Sequence, residues 1–173
     1  LGGVVMATAD RAIRLDTPDW LHAVVVHPDQ ILETRRSRAV LAEPFDLHTV
    51  VAHSTHLGLF LTGLQRGDLA LLRAGLRDVL VEPRRAPLIP GFRAVQQAAF
   101  DHDAIGASIS GGGPSVFAWF ASEAAARAAA GDMRAGFVDA GIEARAYVSP
   151  VAGPRAALVD APARQALSAE TGA

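Results

Sequence analysis

Residues 106–120 read Gly-Ala-Ser-Ile-Ser-Gly-Gly-Gly-Pro-Ser-Val-Phe-Ala-Trp-Phe. Two short runs of β-forming residues, one ending at Ile109 and one beginning at Val116, are joined here by three consecutive glycines. Because glycine has no side chain to pack, three in a row indicate a turn that needs positive φ or a close approach by a ligand or another backbone segment. The N–H groups of such a turn can bind an anion in a concave nest. We therefore predict a strand, turn, strand unit whose turn either binds an anion or only closes a hairpin.

Three other glycine-loop motifs do not fit this stretch. In a dinucleotide-binding loop the glycines open a helix, whereas here Pro114 and a β-forming run follow them. A Walker A loop ends in Gly-Lys-Ser/Thr, and the chain contains no lysine. The nucleophile elbow Gly-x-Ser-x-Gly, centred on Ser110, would need a glycine where Ser108 stands.

The composition is typical of one globular domain. The chain has 173 residues, half of them hydrophobic, and a net charge of −2. This near-neutral balance argues against a nucleic-acid-binding surface, and no apolar run is long enough to span a membrane. No cysteine is present, and all sixteen basic residues are arginine, whose planar guanidinium suits bidentate binding of carboxylates or phosphates. No signal peptide is visible, so the expected location is the cytoplasm.

The periodicity and capping signals along the chain predict the secondary structure. Asp46 and Asp68 are placed as N-caps of two helices, over residues 47–65 and 69–76, that form a helical hairpin. Further helices are predicted over residues 35–41, 92–101 and 122–140, and strands over residues 2–7, 11–15, 20–26, 104–109, 116–120 and 142–149. The core stripe of the first hairpin helix is assigned to Val50, Leu57, Phe60, Leu61 and Leu64.

Residues 105–120 resemble the third, glycine-rich motif of the GHMP kinases, a family of small-molecule kinases. Two further segments are similar to motifs of the homoserine kinases within this family, in the same order along the chain. They are residues 34–41, where Ser37 replaces the family alanine, and residues 82–92, which carry Glu-Pro-x-Arg and then Leu-x-Pro-Gly-Phe. The resemblance extends from residue 1 to about residue 157.

The order strand, helix, strand, strand, helix, strand predicts an α+β fold of the ferredoxin-like type. The resemblance implies that residues 19–157 form the C-terminal domain of a GHMP kinase. It also implies that residues 1–18 are the last strands of an N-terminal domain whose remainder, with the ATP phosphate loop, lies upstream. The chain begins Leu1-Gly2-Gly3, which likewise suggests a fragment. Residues 158–173 have no match and are expected to be mobile.

The same resemblance implies the binding residues. Thr34, the expected N-cap of the helix over residues 35–41, and Arg38 stand four apart on one face, which the family places at the substrate and the transferred phosphate. Arg85 matches the family arginine in a loop over residues 82–92 that three prolines stiffen. Arg84, and likewise Arg35 and Arg36, are interpreted as ordinary solvent-exposed residues.

The glycine turn completes the predicted site. Gly111 is assigned to the substrate, and Ser110, Gly111, Gly112 and Gly113 are assigned to the phosphate side, where the glycines present backbone N–H groups. Gly112 replaces the serine or alanine of the family, which should loosen the loop. No catalytic base is identified, and no metal site is assigned, because His53 and His56 lack a third ligand nearby.

The implied activity is transfer of the γ-phosphate of ATP to L-homoserine, giving O-phospho-L-homoserine on the route to threonine. ATP and Mg²⁺ are the implied cofactors, with their main ligands in the upstream half, so this segment alone is expected to be inactive. A homodimer is compatible with the sequence. Two alternatives stay open: a non-catalytic ferredoxin-like module that binds an amino acid or a protein partner, and another GHMP kinase of the mevalonate type. The second would not predict the motif pair over residues 82–92.

Overall fold

The computed structural model describes residues 2–155 and 157. Its strands are β1 Val5–Ala7, β2 Ala12–Arg14, β3 His22–Pro28, β4 Gly106–Ile109, β5 Val116–Phe120 and β6 Ala144–Pro150. Its helices are α1 Thr34–Ala39, α2 Leu47–Arg66, α3 Leu69–Gly75, α4 Glu82–Arg85, α5 Phe92–Asp101 and α6 Glu123–Val138, with a 3₁₀ turn at Ala86–Leu88. The expectation of a mobile tail over residues 158–173 lies outside the described residues.

Four of the strands form one antiparallel sheet in the order β4-β5-β3-β6. The glycine turn connects the neighbouring strands β4 and β5, with Ile109 opposite Val116 across the ladder. Helices separate β3 from β4 and β5 from β6, which gives the strand, helix, strand, strand, helix, strand order of the ferredoxin-like arrangement. The predicted α+β fold is therefore confirmed.

The main hydrophobic core lies between one face of this sheet and the helices α5 and α6. Alternate residues of β5 point into it, as the period of two in a strand requires, and Val116, Ala118 and Phe120 are fully buried. The two helices approach closely because α6 has a glycine at the contact: a Cβ on Gly136 would lie 2.7 Å from the backbone nitrogen of Val95. The predicted helices over residues 92–101 and 122–140 and the strand after Ile142 are all present.

The α2–α3 hairpin covers part of the opposite face. The side chain of Asp46 caps α2 and that of Asp68 caps α3, as predicted, and Gly67 ends α2 in the left-handed conformation with φ of 63°. The predicted core stripe is only half right, because Leu64 is buried whereas Val50 is 40% and Leu57 is 53% exposed. Helix α2 has 20 residues and α3 has seven, so α3 is too short to pack along the whole length of α2.

Three local expectations differ from the structure. Residues 82–92 are mostly helical, not an irregular loop, because prolines are tolerated in the first turn of a helix and both Pro83 and Pro87 lie there. Thr34 is the first residue of α1, whereas Glu33 occupies the N-cap without a side-chain hydrogen bond. The first strand begins only at Val5, since Gly2 and Gly3 both have positive φ. The predicted strand over residues 11–15 is present as β2 and pairs with β1.

None of the helices in residues 2–155 combines the length and the hydrophobicity that crossing a membrane requires.

Candidate functional site

A cleft of about 330 Å³ opens between α1, α4 and the glycine turn. Its lining consists of Leu32, Thr34, Ser37, Arg38, Arg85, Gly112 and Gly113. The structure thus brings together five of the predicted site residues, which come from three separate segments of the chain. Gly111 and Ser110 belong to the same turn but are not part of the lining.

Hydrogen bonds within the turn fix its shape. The N–H of Gly113 donates to the carbonyl of Ser110 at 3.0 Å, and the N–H of Ser110 donates to the carbonyl of Ser115 at 2.8 Å. Gly111 has φ of 58° and Gly113 has φ of 78°, values that favour glycine. A Cβ on Gly113 would also lie 3.0 Å from Ile89. These hydrogen bonds and backbone angles therefore fix the conformation of the turn beside the cleft.

These internal bonds limit which N–H groups a ligand can reach. The sequence prediction assigned the N–H groups of all three glycines to the phosphate side. That of Gly113 is already used within the turn, so it is not available. The N–H groups of Gly111 and Gly112 have no acceptor among residues 2–155 and 157, and both residues are exposed. Two adjacent N–H donors therefore remain for an anion.

Arg85 lies on α4 and reaches across the cleft to both other segments. Its Nε donates to the carbonyl of Ser37 at 3.3 Å and its Nη1 donates to the carbonyl of Gly111 at 3.4 Å. Both contacts are longer than the 2.7–2.9 Å typical of a guanidinium bound to a carboxylate. A carboxylate entering the cleft would therefore compete well for this side chain.

Arg38 supplies the second positive charge. It is exposed on α1, and its side chain forms no ion pair or hydrogen bond within the described part of the chain. Thr34 lies one helical turn before it and is also exposed. Of the residues that line the cleft two are arginines and none is acidic, so the cleft attracts anions.

Ser37 is a contact that the sequence did not predict. It is only 6% exposed, and its Oγ donates to the carbonyl of Gly112 at 3.4 Å, which ties α1 to the turn. The signal was present in the sequence as the replacement of the family alanine by serine, but only the fold shows that this serine faces Gly112.

The neighbouring arginine, Arg84, points away from the cleft. Its two terminal nitrogens donate to the carbonyls of Glu43 and Pro44 at 2.5 and 3.0 Å, and its guanidinium stacks on the ring of Phe45 at 3.7 Å. This arginine therefore tethers the segment between α1 and α2 to α4. Its role is structural, although it is more closely bound than an ordinary exposed residue.

His53 and His56, both on α2, have separate partners. His56 pairs through Nδ1 with the carbonyl of Ala74 at 2.9 Å, whereas Nδ1 of His53 lies 3.7 Å from a carboxylate oxygen of Asp78. Among residues 2–155 and 157, no group of three or more histidine, cysteine or acidic residues is placed to hold a metal ion. We assign no residue of this part of the chain to Mg²⁺.

Comparison with known proteins agrees with this geometry. Residues 60–139 match the family described as GHMP kinases C terminal. The chain is 54% identical over 159 residues to the homoserine kinase of Xylella fastidiosa strain 9a5c, covering 92% of this chain and 49% of that protein. It is 38% identical over 149 residues to the homoserine kinase of Chlorobaculum tepidum, covering 85% and 46%. The crystal structure of homoserine kinase from Cytophaga hutchinsonii superposes with a TM-score of 0.81 at 37% identity, covering 86% and 48%.

The chain spans about half the length of these relatives. Its sheet order, its glycine turn and the match over residues 60–139 all belong to the same domain type. Residues 60–139 therefore carry the C-terminal domain of the GHMP kinases, and the chain as a whole is similar to the C-terminal half of homoserine kinases.

Proposed function

We propose that this chain supplies the homoserine-binding side of a homoserine kinase, which transfers the γ-phosphate of ATP to the hydroxyl of L-homoserine. The product is O-phospho-L-homoserine, an intermediate on the route to threonine. The observation that carries the proposal is the convergence of Arg38, Arg85 and the glycine turn on one cleft without an acidic residue in its lining. Residues 1–18 would complete the N-terminal domain, and residues 19–157 are the C-terminal domain. The proposed location is the cytoplasm.

The cleft suits the substrate because homoserine carries a carboxylate. Arg85 and Arg38 bind that carboxylate, since a planar guanidinium matches a carboxylate in a two-pronged geometry. Thr34 lies beside the transferred phosphoryl group. The N–H groups of Gly111 and Gly112, which have no acceptor among the described residues, are proposed to stabilise negative charge on the phosphate side. Phosphoryl transfer depends mainly on such positioning and charge stabilisation, so this half of the site needs no nucleophile of its own.

ATP is the proposed phosphoryl donor, but the described residues do not provide its main site. The phosphate loop of the family is absent from residues 1–173, and the described residues offer no metal-binding group. We therefore expect the 173-residue chain to show no kinase turnover alone. Sedimentation analysis tests whether the protein forms the homodimer that the sequence allows.

The decisive experiment uses a chimera in which the N-terminal half of the Xylella fastidiosa homoserine kinase precedes residues 1–173. A coupled assay of ADP release should show turnover that depends on both ATP and L-homoserine, and none from the 173-residue chain. Turnover with phosphomevalonate or mevalonate but not homoserine would contradict the substrate assignment.

Calorimetric titration of the 173-residue chain separates the kinase from an amino-acid-binding module. The chain can be titrated alone because it contains both arginines that are proposed to bind the carboxylate. Weak binding of L-homoserine that strengthens in the chimera supports the kinase. Tight binding of threonine without ATP, together with an inactive chimera, favours the non-catalytic module.

A further inference from the structure

Glu82 is the one acidic side chain among the buried polar residues in the part of the chain that the structure describes. It is 9% exposed, and the other two buried polar residues are Ser37 and Ser108. The Oε2 atom of Glu82 accepts a hydrogen bond of 2.7 Å from the Oγ of Ser108. A buried carboxylate is costly unless its oxygens are hydrogen-bonded, so this pair calls for a physical reason.

The second oxygen of Glu82 is also fully engaged. Its Oε1 accepts from Nε2 of Gln96 at 3.1 Å and from Nη1 of Arg93 at 3.3 Å, both on α5. Gln96 donates in addition to the carbonyl of Ala107 at 2.9 Å. The carboxylate therefore joins three elements, α4, α5 and β4, through a network in which each member is satisfied.

The 2.7 Å bond between Glu82 and Ser108 joins two segments that also contribute to the cleft. Glu82 begins α4, and Arg85 follows it by three residues, which is about one helical turn. Ser108 lies on β4, three residues before Gly111. The bond from Glu82 to Ser108 and the contact from Arg85 to Gly111 therefore join α4, one helical turn apart, to the same segment of strand and turn.

Helix α4 needs such an anchor. It has four residues, and a helix this short is not stable without tertiary contacts. Asp78 fixes the backbone before it by accepting from the N–H groups of Leu80, Val81 and Glu82. Ala86 and Ile89 fix the chain after it in the core. Glu82 is the side chain of α4 itself that holds the helix to the sheet.

We propose that Glu82, through Ser108, is the positioning residue that holds Arg85 in the direction of the glycine turn and so sets the affinity of the cleft for the substrate carboxylate. This inference rests on the proposed function. Glu82 does not touch the substrate, and its whole effect passes through Arg85.

The test compares the variants Glu82→Ala, Glu82→Gln, Ser108→Ala, Arg85→Ala and Glu82→Ala/Arg85→Ala in the chimera. Glu82→Ala should raise the KM for L-homoserine about tenfold, a loss typical of a slightly misplaced binding group. The KM for ATP should stay within about twofold of that of the parent. Glu82→Gln retains an acceptor for Ser108 and should have a smaller effect. The matched control is Glu123→Gln, which breaks an exposed ion pair with Arg127 on α6 and should leave both KM values unchanged.

The double variant distinguishes positioning from general stability. If Glu82 acts through Arg85, then Glu82→Ala should add less than about twofold to the homoserine KM when Arg85 is already alanine. An effect of Glu82→Ala that persists in full in that background overturns the inference, as does a lowered Tm with an unchanged KM. If Glu82→Ala fails to fold, Glu82→Gln and Ser108→Ala, combined with Arg85→Ala in the same way, decide between these outcomes.

The same set separates this inference from the proposed function. If Arg85→Ala leaves the homoserine KM unchanged, the proposed carboxylate site is wrong and the inference falls with it. If Arg85→Ala raises that KM but the Glu82 and Ser108 variants do not, only the inference is wrong. If the chimera itself is inactive, the Kd for L-homoserine in the 173-residue chain, measured by calorimetry, replaces the KM in each comparison.

Discussion

The Nη1 atom of Arg85 lies 3.4 Å from the carbonyl oxygen of Gly111, and this contact joins α4 to the glycine turn across the cleft. Since each hydrogen bond to a charged group contributes about 1.5–3 kcal/mol, Arg85→Ala should raise the homoserine KM of the chimera about tenfold to a hundredfold. The KM for ATP should change much less, because we propose that residues 1–173 do not provide its main binding site. Steady-state kinetics with each substrate varied in turn measures both values. Equal increases would contradict the assignment of Arg85 to the carboxylate of homoserine.

Helix α1 carries both Arg38, the second arginine of the cleft, and a control residue, Arg36. Arg38 lines the cleft, whereas Arg36, two residues earlier on the same helix, is exposed outside it. Arg38→Ala should therefore raise the homoserine KM about tenfold, and Arg36→Ala should leave it unchanged, although both remove one positive charge. If the two variants weaken binding equally, the effect belongs to the general field of the protein and not to a specific contact.

The glycines of the turn should differ in their tolerance of a side chain. A Cβ on Gly112 would meet no atom within 4 Å, so Gly112→Ala should stabilise the chain by about 0.4–1 kcal/mol through the unfolded state. Gly113 has φ of 78° and its Cβ would lie 3.0 Å from Ile89, so Gly113→Ala should destabilise by about 1–2 kcal/mol or more. Urea unfolding of the two variants gives both values. A destabilised Gly112→Ala would show that the extra glycine is required, and not merely tolerated.

The sequence could predict the features of the structure that depend on local chemistry. The strand, turn, strand unit and the caps at Asp46 and Asp68 depend on local chemistry, and all three are present in the structure. The departure from the family pattern at Gly112 was also visible. What a sequence cannot show is that Ser37, the other departure, donates its hydroxyl to the carbonyl of that same glycine. That contact joins residues 75 apart and depends on the whole fold.

The error in the core stripe of α2 has a simple physical cause. The pattern of α2 correctly indicates an amphipathic helix, but the period does not tell whether another element covers each turn, so Val50 and Leu57 were wrongly assigned to the core. In the same way, the sequence around Glu82 does not tell whether other elements cover this side chain. It is buried because Ser108, Gln96 and Arg93 satisfy it from other elements.

The α2–α3 hairpin gives a second test of glycine packing, far from the cleft. A Cβ on Gly75 would lie 2.2 Å from the backbone nitrogen of Phe60, which cannot move without shifting α2. Gly75→Ala should cost at least about 3 kcal/mol of unfolding free energy, the upper end of overpacking in a core. Gly58→Ala, on the open face of α2, should stabilise by about 0.5–1 kcal/mol. Urea titration followed by circular dichroism measures both, and similar values for the two variants would mean that α3 does not pack against α2 in this way.

The N-cap of α2 should make part of the stability depend on pH. Hydrogen bonds from the hydroxyl and then the N–H of Thr49 hold the pKa of Asp46 below its ordinary value of 3.8. A carboxyl group whose pKa is lower in the folded state than in the unfolded state stabilises the folded state. This stabilisation is complete at pH values above the pKa of the unfolded state, and it is lost as the pH falls through the pKa of the folded state. The Tm difference between the parent chain and Asp46→Ala should therefore be largest at neutral pH and shrink below pH 3.8. Asp46→Asn keeps an acceptor that does not titrate, so its Tm should fall less than that of the parent over the same range. A difference between parent and Asp46→Ala that stays constant with pH would mean that the cap stabilises α2 without help from its charge.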